Sequence, residues 1–412
     1  MSRKNIYSLA DQVVVSGGNF LVAVLLARLL SLYDFGIYGI CLVVTLLVVG
    51  VQASLLISPL YTFLPKIEDD EERQEYISNM TILVVIISLL FSVISGVCMY
   101  FLPVISEKMV TREYALLASV YIFFRLQQEC IRRIFFALQH IVETMKIDVF
   151  VFALQIMLIF LIGHYQLLNL SVAFVVLGFT YALGVIYGIF LLDPEVTDCS
   201  CMFKTFCKHW KFGKWLMGGA VLSAVVRDYV ILSVGVTLSP VDVGKMRAAE
   251  RLGGLVGVII QLMENVLPVR AAHAYHKFGK PALHAFLKKI YLQISLLALG
   301  IILFFCLSPE KIMVFIFGKQ FSGIGVVLIG YVLSNLINIF KVPLDIVLRT
   351  VEKTSPIFWG ILLGAILNVT VGTFLVQRLG LVGAVWTLVG SSTAILLWYL
   401  FWIVKYNAEE RL

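Results

Sequence analysis

Leu30-Ser31-Leu32-Tyr33-Asp34-Phe35-Gly36 returns 208 residues later as Leu238-Ser239-Pro240-Val241-Asp242-Val243-Gly244. Each copy lies between two long apolar runs, and Leu, Ser, Asp and Gly keep the same places in both. A fainter echo follows downstream, where Pro59 pairs roughly with Pro268 and Glu143-Thr144 with Lys353-Thr354. The offset is about half of the 412 residues, so the chain reads as two similar halves. In each copy the Asp suits capping of the helix that follows and the Gly suits a tight backbone, which makes the motif structural before it is functional.

The composition says what solvent surrounds those halves. Hydrophobic residues make up 60% of the chain, charged residues 14%, and the mean hydropathy is +0.97. A soluble domain is about 25% charged, so the solvent here is a lipid bilayer. A span needs about 20 apolar residues to cross a hydrocarbon core of about 30 Å, which leaves room for about twelve spans and little for a soluble domain. Windows of about 19 residues place them near 8–30, 37–60, 79–102, 114–138, 147–168, 170–192, 214–237, 243–267, 285–307, 323–349, 356–376 and 381–404. Pro65, Pro103, Pro194, Pro240, Pro268, Pro281, Pro309 and Pro356 sit at or between span ends, where a lost helical N–H is cheap. Six spans separate the repeated motifs; six is even, so the halves share one orientation and form a parallel repeat about an axis along the membrane normal. The expected fold is an all-α polytopic membrane protein of two six-helix bundles, 1–192 and 214–412, joined by an amphipathic cytoplasmic linker, 193–213.

Basic residues collect in alternate connections. With the N-terminus inside, the inner segments hold Arg3, Lys4, Lys146, Lys204, Lys208, Lys211, Arg270, Lys277, Lys288, Lys353 and others, against Arg28, Lys108, Arg112, Lys311, Lys319 and Arg378 outside. Both termini are therefore expected in the cytoplasm, with the acidic run Glu68-Asp69-Asp70-Glu71-Glu72 as the weak point. The N-terminal segment reads as a first span and not as a cleaved signal. The seven cysteines show no framework of exposed pairs, so no disulfides are expected. Cys199-x-Cys201-x₅-Cys207-x-His209 is not a standard zinc spacing, and the linker reads instead as an interfacial helix with Phe203, Phe206, Trp210 and Phe212 toward lipid and Lys204, Lys208, Lys211 and Lys214 toward headgroups. No metal, cofactor or nucleotide-binding signature is present, and nothing points to nucleic acid.

The chain resembles the lipid-linked oligosaccharide flippases, of O-antigen and capsule type, in the polysaccharide branch of the multidrug/oligosaccharidyl-lipid/polysaccharide (MOP) exporter superfamily. The resemblance is carried by Asp11-Gln12-Val13-Val14-Val15-Ser16-Gly17-Gly18-Asn19-Phe20, by Leu26-Ala27-Arg28-Leu29-Leu30 running into Asp34-Phe35-Gly36-Ile37-Tyr38, and by Gly380-Leu381-Val382-Gly383-Ala384. The hydropathy layout covers the whole chain and the motifs about a tenth of it. Where the family has Gly-Pro before the acidic residue, this chain has Ser31-Leu32-Tyr33. The resemblance implies two bundles in a V shape like that of the multidrug (MATE) exporters, alternating access, and a lipid-pyrophosphate sugar as cargo in the bacterial inner membrane. The lipid-linked glycan, membrane lipids and other glycan-assembly membrane proteins are the implied partners.

Ionisable groups deep in a span cost about 2.5–3.5 kcal/mol and normally face a cavity or a partner. Arg125, Gln128, Glu129, Arg132 and Arg133 share one face of the fourth span; Arg247, Glu250, Arg251, Gln261 and Glu264 mark the eighth, and Asn335, Asn338, Lys341, Asp345 and Arg349 the tenth. Arg227 and Asp228 lie in the seventh, Asp11 in the first. Interior cations slightly outnumber anions, and planar guanidiniums suit a pyrophosphate. The expected substrate-binding residues are Arg125, Arg132, Arg227, Arg247, Arg251 and Lys341; Asp11, Asp228 and Asp345 are candidates for coupling to a proton or Na⁺. Two readings stay open for each. Arg125 with Glu129, Arg247 or Arg251 with Glu250, and Lys341 with Asp345 are equally placed to neutralise one another, Arg132 and Arg133 to snorkel to the interface, and Asp11 to cap its helix. The alternative function is a cation-coupled drug or small-molecule exporter, which calls for an apolar, net-acidic cavity. A membrane-embedded enzyme needs a catalytic loop larger than 103–113 or 308–322 provides.

Overall fold

A computed structural model describes residues 3–105, 111–194, 199–351 and 353–409, and among them there is no β-strand. The helices are α1 (Arg3–Leu29), α2 (Leu32–Gln52), α3 (Ser58–Phe63), α4 (Asp70–Ile105), α5 (Ala115–Ala137), α6 (Ile141–His164), α7 (Leu170–Leu192), α8 (Cys199–Thr237), α9 (Pro240–Gly253), α10 (Gly257–Leu307), α11 (Pro309–Phe317), α12 (Gly325–Thr350), α13 (Ser355–Leu367) and α14 (Thr373–Glu409). Nine stretches among the described residues are long and apolar enough to cross a bilayer. Each span expected from the sequence falls mainly on helix, with ends that differ by a few residues, as where α6 stops at His164 rather than 168. Two of them, 114–138 and 243–267, lie outside those nine, and both are charged, the first with Arg125, Glu129, Arg132 and Arg133 and the second with Lys245, Arg247, Glu250, Arg251 and Glu264; the last two share the stretch Ser355–Lys405. Two apparent helices are each broken by a left-handed glycine, α10 at Gly279 (φ 66°) and α14 at Gly380 (φ 60°), where a Cβ would be strained.

The repeated motif opens α2 and α9 in the same way, though with other roles than the sequence suggested. Ser31 and Ser239 are the N-caps: each hydroxyl accepts the backbone N–H of Asp34 (3.0 Å) or Asp242 (3.2 Å) and donates to that residue's carboxylate (2.8 and 2.7 Å). The Asp thus stands at the third helical position of a reciprocal cap and also favours the positive end of the helix. Gly36 and Gly244 are buried one turn into their helices and have ordinary helical backbones, so no turn asks for glycine there. The acidic run before α4 is explained similarly. Asp69 caps the helix through the Glu72 N–H (2.9 Å), and Asp70, Glu71 and Glu72 fill its first turn. Pro103 and Pro268 differ from expectation, because helix continues past the apolar stretch and encloses them.

The chain forms two compact units, Met1–Ala224 and Val225–Leu412, with the border inside α8. In the first, α1 lies along α6, and α5 along α7 and α4. In the second, α12 packs against both α10 and α14, and α13 against α14. The first half of α8 is locked into the first unit by His209, which is fully buried. Leu55 O accepts only, so Nδ1 of His209 is the donor to it (3.3 Å) and Nε2 accepts from the Tyr76 hydroxyl (2.7 Å). Phe63 packs edge-on against both His209 and Phe212. Phe203 and Trp210 remain exposed, while Asp198 lies outside the described residues.

Candidate functional site

Three polar centres lie within the apolar helices, one in the first unit and two in the second. In the first unit α5 brings Arg132 into the middle of a closed network. Its Nε donates to Asp148 of α6 at 2.6 Å, Nη1 to Glu129 at 3.1 Å and Nη2 to Asp11 of α1 at 3.2 Å. Asp11, Arg132 and Asp148 are all buried, and Glu129 is shared with Arg133 at 2.7 Å. Charges buried in this way hold only when each has a partner and the remaining lone pairs are met. Arg125 sits two turns earlier on α5. Its Nη1 donates to the hydroxyls of Tyr121 (2.9 Å) and Tyr181 of α7 (3.2 Å), with the guanidinium over both rings, so it is held without touching Glu129. Two guanidiniums, Arg132 and Arg133, thus meet three carboxylates, and the nearby Arg125 brings the formal charge of the group to zero. Beside it lies a polar cavity of about 40 Å³, which accommodates water, lined by Asn19, Arg125, Gln128, Glu129 and Asp148. The Gln128 amide is buried and makes no hydrogen bond to protein.

The second unit repeats the principle with other residues. Asp228 of α8 accepts from Arg227 Nε at 2.9 Å and lies 3.6 Å from the guanidinium of Arg247 on α9, which pairs with Glu250 at 2.5 Å. Asp228 and Arg247 are both about 2% exposed. Helical rise explains why they meet: Asp228 lies eleven residues before Ser239 and Arg247 eight after it, which puts them about 16 and 12 Å from the same turn. Arg227 extends outward, 52% exposed. The third centre is on α12, where Asp345 pairs with Arg349 at 2.6 Å and not with Lys341.

The residues expected to bind substrate therefore fall into two groups. Arg125, Arg132 and Arg247 are engaged in internal networks. Arg251 and Lys341, partly exposed, have no carboxylate within ion-pairing distance among the described residues, and Arg227 presents an exposed guanidinium despite its pairing with Asp228. All three of these are in the second unit. The ion-coupling candidates share one property: Asp11, Asp228 and Asp345 are buried, and each has a carboxylate oxygen, Oδ1, with no hydrogen-bond partner. The sequence reading missed Asp148, Tyr121 and Tyr181. Asp148 carried a usable signal as an ionisable residue just inside an apolar span. The tyrosines carried none, because only the packing of α7 on α5 selects them.

A family model described as "Polysaccharide biosynthesis protein" matches residues 25–325, nearly three-quarters of the chain. The chain belongs to this polysaccharide biosynthesis family. No curated protein matches it in sequence. Among solved structures, this family member is similar to a lipid II flippase, MurJ, in an inward closed conformation, with a TM-score of 0.71 at 16% identity over 97% of this chain and 87% of that one. It is also similar to an inward-facing multidrug resistance MATE family transporter of the MOP superfamily, with a TM-score of 0.58 at 16% identity over 100% and 96% of the two chains. A MOP superfamily transporter from Pyrococcus furiosus gives 0.54 at 14% identity over 98% and 92%. The polysaccharide family member thus has the fold seen in these exporters and is a multi-pass membrane protein.

Proposed function

We propose that the protein is a flippase that carries an undecaprenyl-pyrophosphate-linked oligosaccharide across the bacterial cytoplasmic membrane, for O-antigen, capsule or exopolysaccharide assembly. It forms and breaks no covalent bond; it moves its cargo by alternating access, with both termini in the cytoplasm. Family membership supports a glycan cargo, and the likeness to a lipid II flippase supports a lipid-linked one. The observation that carries the reading is the set of cations left over after internal pairing. Arg251 and Lys341, with the exposed guanidinium of Arg227, are free to meet a phosphate, whereas a net-acidic apolar cavity would suit a cationic drug. Arg247 ties α9 to α8, the helices that present Arg251 and Arg227, while Arg125 and Arg132 tie together helices of the first unit. Asp11, Asp228 and Asp345 supply buried carboxylates that take up a proton or Na⁺ to drive the cycle.

The test is surface glycan display in a deletion strain, with lipid-linked repeat units assayed on the inner leaflet. Loss of surface glycan with accumulation inside, restored by the wild type but not by an equally abundant Arg251→Glu variant, is the expected result. Normal display together with new sensitivity to cationic drugs would move the assignment to the exporter. Full restoration by Arg251→Glu would remove that residue from the binding set.

A further inference from the structure

The end of the α4–α5 hairpin carries a feature that the three polar centres do not use. Pro103 has no N–H to give to the carbonyl of Met99, and the buried Thr111 hydroxyl donates to that carbonyl instead, at 2.5 Å. This bond fixes the start of the next segment against α4. Arg112 follows at once: its Nε lies 3.5 Å from Tyr100 O, and its guanidinium sits 4.6 Å from the centre of the Tyr100 ring. Arg112 is exposed and has no carboxylate within ion-pairing distance among the described residues.

Directly alongside runs an open slot between α4 and α5, a cavity of about 400 Å³ lined by Val93, Val97, Tyr100 and Phe101 on one side and Leu116 and Ser119 on the other. That volume is within the range of about 300–1,000 Å³ typical of small-molecule sites. Gly96 forms its floor, where a side chain would collide with Ser119. The lining is almost wholly hydrocarbon, and Val93, Val97, Phe101 and Leu116 are each more than half exposed. A concave hydrocarbon slot, a tyrosine at its rim and, over that tyrosine, a guanidinium with no carboxylate at ion-pairing distance among the described residues together match one kind of ligand, an alkyl chain that ends in an anionic phosphate.

We propose that this slot holds one acyl chain of an acidic phospholipid, with the lipid phosphate on Arg112. An arginine whose planar face already rests on an aromatic ring is preset to offer paired N–H donors to a phosphate. The assignment is independent of the transported cargo.

The experiment uses the full-length protein, purified and delipidated in mild detergent, and titrated with phosphatidylglycerol or phosphatidylcholine of matched chains while native mass spectrometry counts bound lipid. The wild type is expected to hold one phosphatidylglycerol about five-fold more tightly than phosphatidylcholine, as expected for a single basic residue at a membrane surface. Arg112→Gln should erase that preference and Arg112→Lys keep most of it. Val97→Trp, an exposed change that fills the slot, should remove the tight lipid altogether, with thermal melting unchanged in each variant. A preference that survives Arg112→Gln would overturn the proposal. So would displacement of phosphatidylglycerol by a smaller amount of a polyprenyl phosphate, which would give the slot to the tail of a glycolipid.

Discussion

Arg132 shows what a guanidinium does when three carboxylates reach it from α1, α5 and α6. Replacing it with methionine keeps the length and removes the charge, which leaves Asp11 and Asp148 buried without a counter-ion. Breaking a buried pair in this way costs about 3–5 kcal/mol, so Arg132→Met is expected to lower the unfolding midpoint in detergent sharply. The neighbouring Arg133→Met should cost less than about 1 kcal/mol, because that side chain is 39% exposed and duplicates the contact to Glu129. Equal midpoints for the two variants would refute the central role given to Arg132. Spacing along the chain foretold that these residues share a face of α5. It could not foretell that Arg132 turns to Asp148, or that Arg125 turns to tyrosines. On α12 the same limit appears in a simpler form, since Lys341 and Arg349 both lie four residues from Asp345 and only the fold chooses Arg349.

The turns that open α2 and α9 carry the clearest signature of the repeat, and they differ in one informative way. Pro240 fixes the first residue of α9, while Leu32 leaves the first residue of α2 free. Loss of a serine cap costs about 1 kcal/mol. Ser31→Ala and Ser239→Ala are both expected to destabilise by that order, with the larger drop in melting temperature for Ser31→Ala, whose helix has no proline to start it. A neutral Ser31→Ala would show that Asp34 alone secures the turn. The positions of the helices were legible in the sequence because apolar length is a local property, and so were the two motifs. What each motif residue does was not legible, since Ser as cap with Asp in the first turn, and Asp as cap, both fit a serine three residues before an acid. The breaks at Gly279 and Gly380 were equally hidden, because a glycine in an apolar run looks the same whether its φ is positive or negative.

Across the whole chain, orientation rests on where lysine and arginine gather, and the acidic run before α4, which seemed to weaken that reading, has a local use at the start of a helix. Reporter fusions at the C-terminus and at residue 111 are expected to give opposite results, cytoplasmic for the terminus and external for the hairpin end. The same result at both sites would exclude the topology of an even number of spans. The network around Arg132 also has a consequence for how the protein is made. Asp11 precedes Arg132 by 121 residues, whereas Asp148 follows Arg132 by only 16. At a synthesis rate of about 5–20 residues per second, roughly ten seconds pass before the charge that neutralises Asp11 leaves the ribosome. Arg132 never faces such a delay, because Glu129 is synthesised just ahead of it on the same helix. The first helix to emerge is therefore among the last to find its final place, and until α5 arrives Asp11 has to wait at the water's edge or in the keeping of the insertion machinery.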